Sequence, residues 1–162
     1  MPDTVVLPDR LEVTRPIPAS ATAVFDIVRS PAGHVAIDAS GMLQSWTGEP
    51  ATAVGDEFVV HMDRESLGDL PMGKYDVTVT ITEYEQNRFI TWEVSGPGFP
   101  SIGHYYGYRL EPNDDATTTV TSIYDWSGVA EDLKQYWPVV PLTALKATLG
   151  ILERTVRQST SP

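Results

Sequence analysis

The sequence predicts an α+β fold in which one curved antiparallel sheet wraps around a long C-terminal helix. Three observations predict it: period-two alternation of apolar and polar residues through the middle of the chain, short turn-forming links between those stretches, and one leucine stripe at helical spacing near the end. At 162 residues the chain has the length of one domain, so 1–162 is read as a single unit with frayed ends at about 1–8 and 158–162.

The elements follow in order. A strand is expected at 11–15. Ser20 can cap a helix over 20–29, in which Ala21, Val24, Phe25 and Val28 form one stripe, and Ser30-Pro31 ends it. A second short helix is expected at 32–37, leading into the turn Asp38-Ala39-Ser40-Gly41. A weak strand at 42–47 precedes a clearer one at 57–62, with Phe58, Val60 and Met62 on one face. The clearest alternation spans 74–83, where Tyr75, Val77, Val79 and Ile81 oppose Lys74, Asp76, Thr78 and Thr80, as in a sheet wet on one side. After the turn at Gln86-Asn87, Ile90, Trp92 and Val94 alternate with Phe89, Thr91 and Glu93. Gly96-Pro97-Gly98 and Pro100 then break the chain. In the next strand, 104–111, His104, Tyr106, Tyr108 and Leu110 share a face, and Pro112-Asn113-Asp114-Asp115 turns into a strand at 117–126. The last helix starts near Pro141, carries Leu145, Leu149 and Leu152, and ends on Arg154 and Arg157, which suit its C-terminal dipole. Six to seven strands and two short helices after the first strand result, with the final helix covering the apolar face.

Composition excludes several functions. Eleven basic against 22 acidic residues give a net charge of −11, which repels nucleic acid. Without cysteine there is no thiol nucleophile, no cysteine-ligated zinc or iron–sulfur cluster and no disulfide. Neither H-E-x-x-H nor G-x-S-x-G occurs, and no metal and no cofactor are expected. Gly68-Asp69-Leu70-Pro71-Met72-Gly73-Lys74-Tyr75 has the glycine and lysine spacing of a phosphate-binding loop. Its last position disqualifies it: that loop needs Ser or Thr for magnesium and a following helix, whereas Tyr75 opens a strand. The segment 65–73 is read instead as a lip over an internal cavity. The start MPDTVVLPDR lacks the basic then apolar run of a signal peptide, and no stretch approaches the roughly 20 apolar residues of a membrane span. A cytoplasmic protein is expected.

Several segments resemble a known superfamily when taken together in order. They are Arg15-Pro16-Ile17-Pro18-Ala19-Ser20, Ile37-Asp38-Ala39-Ser40-Gly41-Met42, Val54-Gly55-Asp56-Glu57-Phe58, Ile90-Thr91-Trp92, and Tyr108-Arg109-Leu110-Glu111-Pro112 followed by Tyr124-Asp125-Trp126-Ser127. Over nearly the whole chain they resemble the START-like, or SRPBCC, helix-grip superfamily, and within it the actinobacterial polyketide cyclase/dehydrase subgroup. That resemblance implies a helix-grip fold and an internal cavity between sheet and terminal helix. The superfamily includes lipid carriers, hormone receptors and aromatase/cyclases, so fold alone does not choose among them. Tryptophans are common in the subgroup where Tyr106 stands here, a departure that points to a different guest.

Strand parity then names the lining: Phe58, Val60, Met62, Tyr75, Val77, Val79, Ile81, Ile90, Trp92, Val94, His104, Tyr106, Tyr108, Val120, Ser122 and Tyr124. Trp137, Val140 and Ala144, on the last helix and its approach, would close the cavity from the other side. A mostly apolar wall with a few polar groups suits a hydrophobic or aromatic small molecule such as a polyketide, lipid or isoprenoid-like compound. His104 with Tyr106 is the candidate catalytic pair if the protein is instead an aromatase/cyclase or dehydratase, the histidine moving protons and tyrosine hydroxyls binding an oxyanion. A third reading is a partner-binding module with a filled core. His61 is expected to face outward, His34 carries no functional signal, and Asp38 and Asp125 are read as structural.

Overall fold

Local chemistry sets each helix. The side chain of Ser20 accepts the N–H of Ala23 at 3.1 Å and starts α1 (Ala21–Val28), which buries Val24, Phe25 and Val28. Ser30 caps α2 (Pro31–Ile37) in the same way, with proline at the first turn, where a missing N–H costs nothing. The C-terminal helix, α3 (Leu142–Thr160), turns Leu145, Leu149, Leu152 and Val156 inward on one stripe. This computed structural model describes residues 3–68, 73–96 and 101–160.

Among the described residues eight strands form one antiparallel sheet. They are β1 (Asp3–Leu7), β2 (Arg10–Ile17), β3 (Leu43–Thr47), β4 (Glu57–Asp63), β5 (Lys74–Glu85), β6 (Phe89–Ser95), β7 (Tyr105–Pro112) and β8 (Thr118–Asp125), in the order β1-β2-β8-β7-β6-β5-β4-β3. From β3 to β8 the sheet is an uninterrupted meander. The N-terminal hairpin joins it because β2 pairs with β8, Leu11 opposite Tyr124 and Val13 opposite Ser122. α3 packs against β2, β8, α1 and α2, and α2 packs against β3 and β4, so the helices cover the inner face while Arg10, Glu12 and Arg109 form ion pairs on the outer one.

The count exceeds the expected six to seven because Asp3–Leu7 is a strand, where a frayed end was expected. All five of its residues are exposed, so no inward face imposes period-two alternation on them, and the strand exists through its pairing with β2, Val6 opposite Leu11. At the other end α3 runs to Thr160, past the expected start of fraying at 158. A bulge between Ile81 and Glu83 shifts the parity of β5, so that Tyr84 joins the inner face and meets Phe25 edge-on at 5.4 Å. Lys74 and Tyr75 open β5 as a strand, which removes the helix that a phosphate-binding loop requires. Residues 69–72, part of the expected lip, lie outside the described residues.

Candidate functional site

Inner-face aromatics from β6, β7 and β8 converge into one cluster. Trp92 stacks on Tyr106 at 6.0 Å between centroids and tilts against Tyr108 at 5.8 Å, while Tyr106 and Tyr124 lie parallel at 4.4 Å. Register explains the convergence: Trp92 is paired with Tyr106, and Tyr106 with Tyr124, across three adjacent strands. Gly107, between the two tyrosines, keeps that packing possible on the other side of the sheet. A Cβ there would come within 2.7 Å of the Ile90 carbonyl oxygen and of the Thr91 side chain, so the space belongs to buried Thr91.

His104 sits one residue before β7, held there by a close approach of two glycines. Gly103 has a φ of 97°, which favours glycine, and a Cβ on it would strike the Gly128 carbonyl. The imidazole Nδ1 then lies 2.9 Å from the Tyr124 hydroxyl and 3.3 Å from the Trp137 indole nitrogen. An indole N–H can only donate, so Nδ1 is the unprotonated acceptor and the ring proton sits on Nε2. The Tyr106 ring lies parallel to that of Tyr124, so its hydroxyl comes close to the pair. Tyr124, His104 and Trp137 are thus joined by hydrogen bonds, with Tyr106 stacked beside them.

Burial sets the protonation of this cluster. Removal from water pushes His104 below its ordinary value, partly opposed by Glu93, and pushes Tyr106 well above the usual tyrosine range. Burial raises Tyr124 to about 12, the neighbouring donors of Tyr106, Trp137 and Val139 offsetting part of the effect, and it raises Tyr108 as well. Every one of these groups is therefore neutral near pH 7.

His34, given no role from sequence, belongs to the same region. Its ring is 4.6 Å from that of Trp92 and 5.2 Å from that of Phe58, and Nε2 lies 2.7 Å from the Val28 carbonyl oxygen. A carbonyl only accepts, so Nε2 carries the proton and burial lowers the pKa to about 4. The spacing of Pro31, His34 and Ile37, all buried, is the signal that could have placed this ring on the inner face of α2.

The remaining expected residues divide by depth. Phe58, Val60, Val77, Val79, Ile81, Ile90, Val120 and Ser122 are buried on the inner face, as is the ring of Tyr124. Ile90, Val120 and Tyr124 are wholly enclosed, so they back the cluster and do not line it. Met62, Tyr75, Val94, Tyr106, Trp137, Val140 and Ala144 are half-buried and present surface a guest could touch. His61 faces outward, bonding Asp76 at 2.7 Å and Thr47 at 2.8 Å. That line of hydroxyl, imidazole and carboxylate ties β3, β4 and β5 together in open water. Asp125 bonds Arg10 and Ser127, and Asp38 closes the turn to Ser40 and Leu43, both structural roles.

Comparison with known proteins adds the family. The family described as polyketide cyclase / dehydrase and lipid transport matches residues 8–157. The uncharacterized protein Rv0088 of Mycobacterium tuberculosis is 29% identical over 120 residues, 74% of this chain and 48% of that protein, so the chain spans about half the length of this relative. Protein Ms6760 from Mycobacterium smegmatis superposes with a TM-score of 0.70 at 15% identity, covering 97% of this chain and 98% of that one. A norcoclaurine synthase point mutant from Thalictrum flavum, solved with a transition-state analogue, superposes with a TM-score of 0.62 at 17% identity, covering 98% and 99%. At these identities the solved structures share the helix-grip fold with this chain and nothing narrower follows from them.

Proposed function

The chain belongs to the polyketide cyclase / dehydrase and lipid transport family, and from that premise we propose that it binds a hydrophobic or aromatic small molecule between the inner face of the sheet and α3. The observation that carries the reading is the aromatic wall of Trp92, Tyr106 and Tyr108, backed by Tyr124, whose titratable members are all neutral. Flat rings stack on such a wall, and an uncharged pocket favours an uncharged guest. A net charge of −11 argues against nucleic acid as a partner, and no helix among the described residues is long and apolar enough to cross a membrane. A cytoplasmic location fits this reading.

One observation favours a second reading, cyclase or dehydratase chemistry. The His104 Nδ1 lies 2.9 Å from the Tyr124 hydroxyl, and the half-buried Tyr106 stacks on Tyr124, which sets an imidazole and two phenols together where a carbonyl-bearing chain could exchange protons. Native mass spectrometry of protein purified gently from its own host tests the binding reading. A discrete added mass that disappears on denaturation is expected, and its absence together with thermal stability unmoved by aromatic and lipid panels would contradict it. With the guest in hand, His104→Ala separates the two readings: a carrier keeps its affinity, whereas an enzyme loses turnover by about a hundredfold or more.

A further inference from the structure

Trp92 and three of its neighbours each carry a polar atom without a hydrogen-bond partner. His34, Trp92, Tyr108 and Ser122 are 8%, 8%, 6% and 3% exposed, each more than nine-tenths buried. With the His34 Nε2 proton donated to Val28, its Nδ1 is left with a lone pair, and neither that nitrogen nor the Trp92 Nε1–H, the Tyr108 hydroxyl or the Ser122 hydroxyl makes a hydrogen bond. Asn87 Oδ1 is the sole side-chain polar atom among the described residues that is both sealed from solvent and unpartnered. The other four atoms are therefore not sealed, and each reaches a space that a water-sized group can enter.

Their placement makes one patch. Tyr108 and Ser122 are direct cross-strand partners on the inner face of β7 and β8, the Tyr108 ring is 5.8 Å from that of Trp92, and the His34 ring closes on the same indole from α2 at 4.6 Å. Together they offer an N–H donor, an sp² nitrogen acceptor and two hydroxyls that can do either. No lysine or arginine is among them. Buried polar groups left unmatched are costly, so a guest that satisfies them gains over one that does not.

Resting on the binding reading above, we propose that the guest is a neutral aromatic molecule carrying a hydroxyl or carbonyl group, and that this group is received by Tyr108, Ser122, Trp92 and His34. His34 is the member that sequence parity could not supply. The neutrality of His34, whose pKa is held at about 4, matches it to an uncharged group and not to a carboxylate.

Three matched probes test the assignment by isothermal titration calorimetry: 2-naphthol, naphthalene and 2-naphthoate. The wild-type protein should bind 2-naphthol about tenfold more tightly than naphthalene, and 2-naphthoate less tightly than 2-naphthol. Tyr108→Phe removes one oxygen and keeps the ring against Trp92. It should cut the ratio of naphthol to naphthalene affinity severalfold. Equal affinity for naphthol and naphthalene in the wild type, a preference undiminished in Tyr108→Phe, or naphthoate binding as tight as naphthol overturns the polar patch while leaving internal binding standing. Failure of all three probes to bind overturns the internal-binding reading and the patch with it. A second readout does not depend on the variant: the Trp92 indole N–H resonance should move further with naphthol than with naphthalene at saturation, and identical shifts would count against the assignment.

Discussion

His34 and His104 are both buried and both held neutral, which couples folding to pH. Between the ordinary histidine value near 6.5 and about 4, the unfolded chain binds a proton at position 34 that the folded chain does not. Stability from this source is complete above the unfolded value and is lost as pH falls through the folded one, on the order of 3 kcal/mol in all. His104, also lowered, acts with the same sign. Urea unfolding at about pH 7 and about pH 4 should show this loss, and His34→Leu should flatten most of the difference; an equal pH dependence in the variant would contradict the burial of a neutral ring. Gly103→Ala should cost about 1–3 kcal/mol by forcing a side chain into a left-handed backbone against Gly128. It should also release His104 from Tyr124, so that its titration, followed by NMR, moves back up toward the ordinary value. His104, Tyr106 and Tyr108 were legible from alternation alone, because strand parity fixes a face. The hydrogen bond that orients His104 was not, since Trp137 arrives from a loop 33 residues away. His34 was hidden for a different reason: its one signal is its spacing with Pro31 and Ile37, three positions on a helix of only seven residues, which strand parity does not read.

Most elements were legible where burial on one side writes a period into the sequence. α3 is the clearest, with its four inward side chains anchoring the grip of the sheet, and Leu152→Ala, at a fully enclosed position, should cost about 2–5 kcal/mol in denaturant titrations. A loss below about 0.5 kcal/mol would mean that α3 does not pack on the inner face as described. The bulge in β5 was not legible, because the alternation simply shifts phase at Thr82 and Glu83 and Tyr84 resumes on the same face. β1 was invisible for lack of any inward face. It hangs on β2 by backbone pairing, with Val6 and Leu7 in water, whereas β8 lies between two strands under α3. Hydrogen exchange should therefore release the amides of β1 well before those of β8, and equal protection of the two would show that something covers the β1 edge.

At the scale of the whole molecule, charge and hydrophobic burial divide the work between two faces. The outer face carries ion pairs and hydroxyl ladders, such as Thr14 with Thr121 at 2.9 Å, and the inner face gathers aromatic rings beneath the helices. Fold class followed from the order of strands and helices, and the family agrees with it. What fills the interior did not follow, because lining a pocket and packing a core use the same residue types. Enclosed Ile90 and Val120 against accessible Tyr106 and Val94 show that the distinction depends on depth, which a face assignment does not contain.

The central claim is that a guest lies inside, against the aromatic wall. An NMR titration of the indole N–H resonances with 2-naphthol tests it most directly, since the tryptophans report from different places: Trp92 and Trp137 at the wall, Trp46 exposed on β3. Saturable shifts at Trp92 and Trp137 with Trp46 unmoved are the expected result. Shifts confined to Trp46, or none at any indole at millimolar probe, would contradict an internal site.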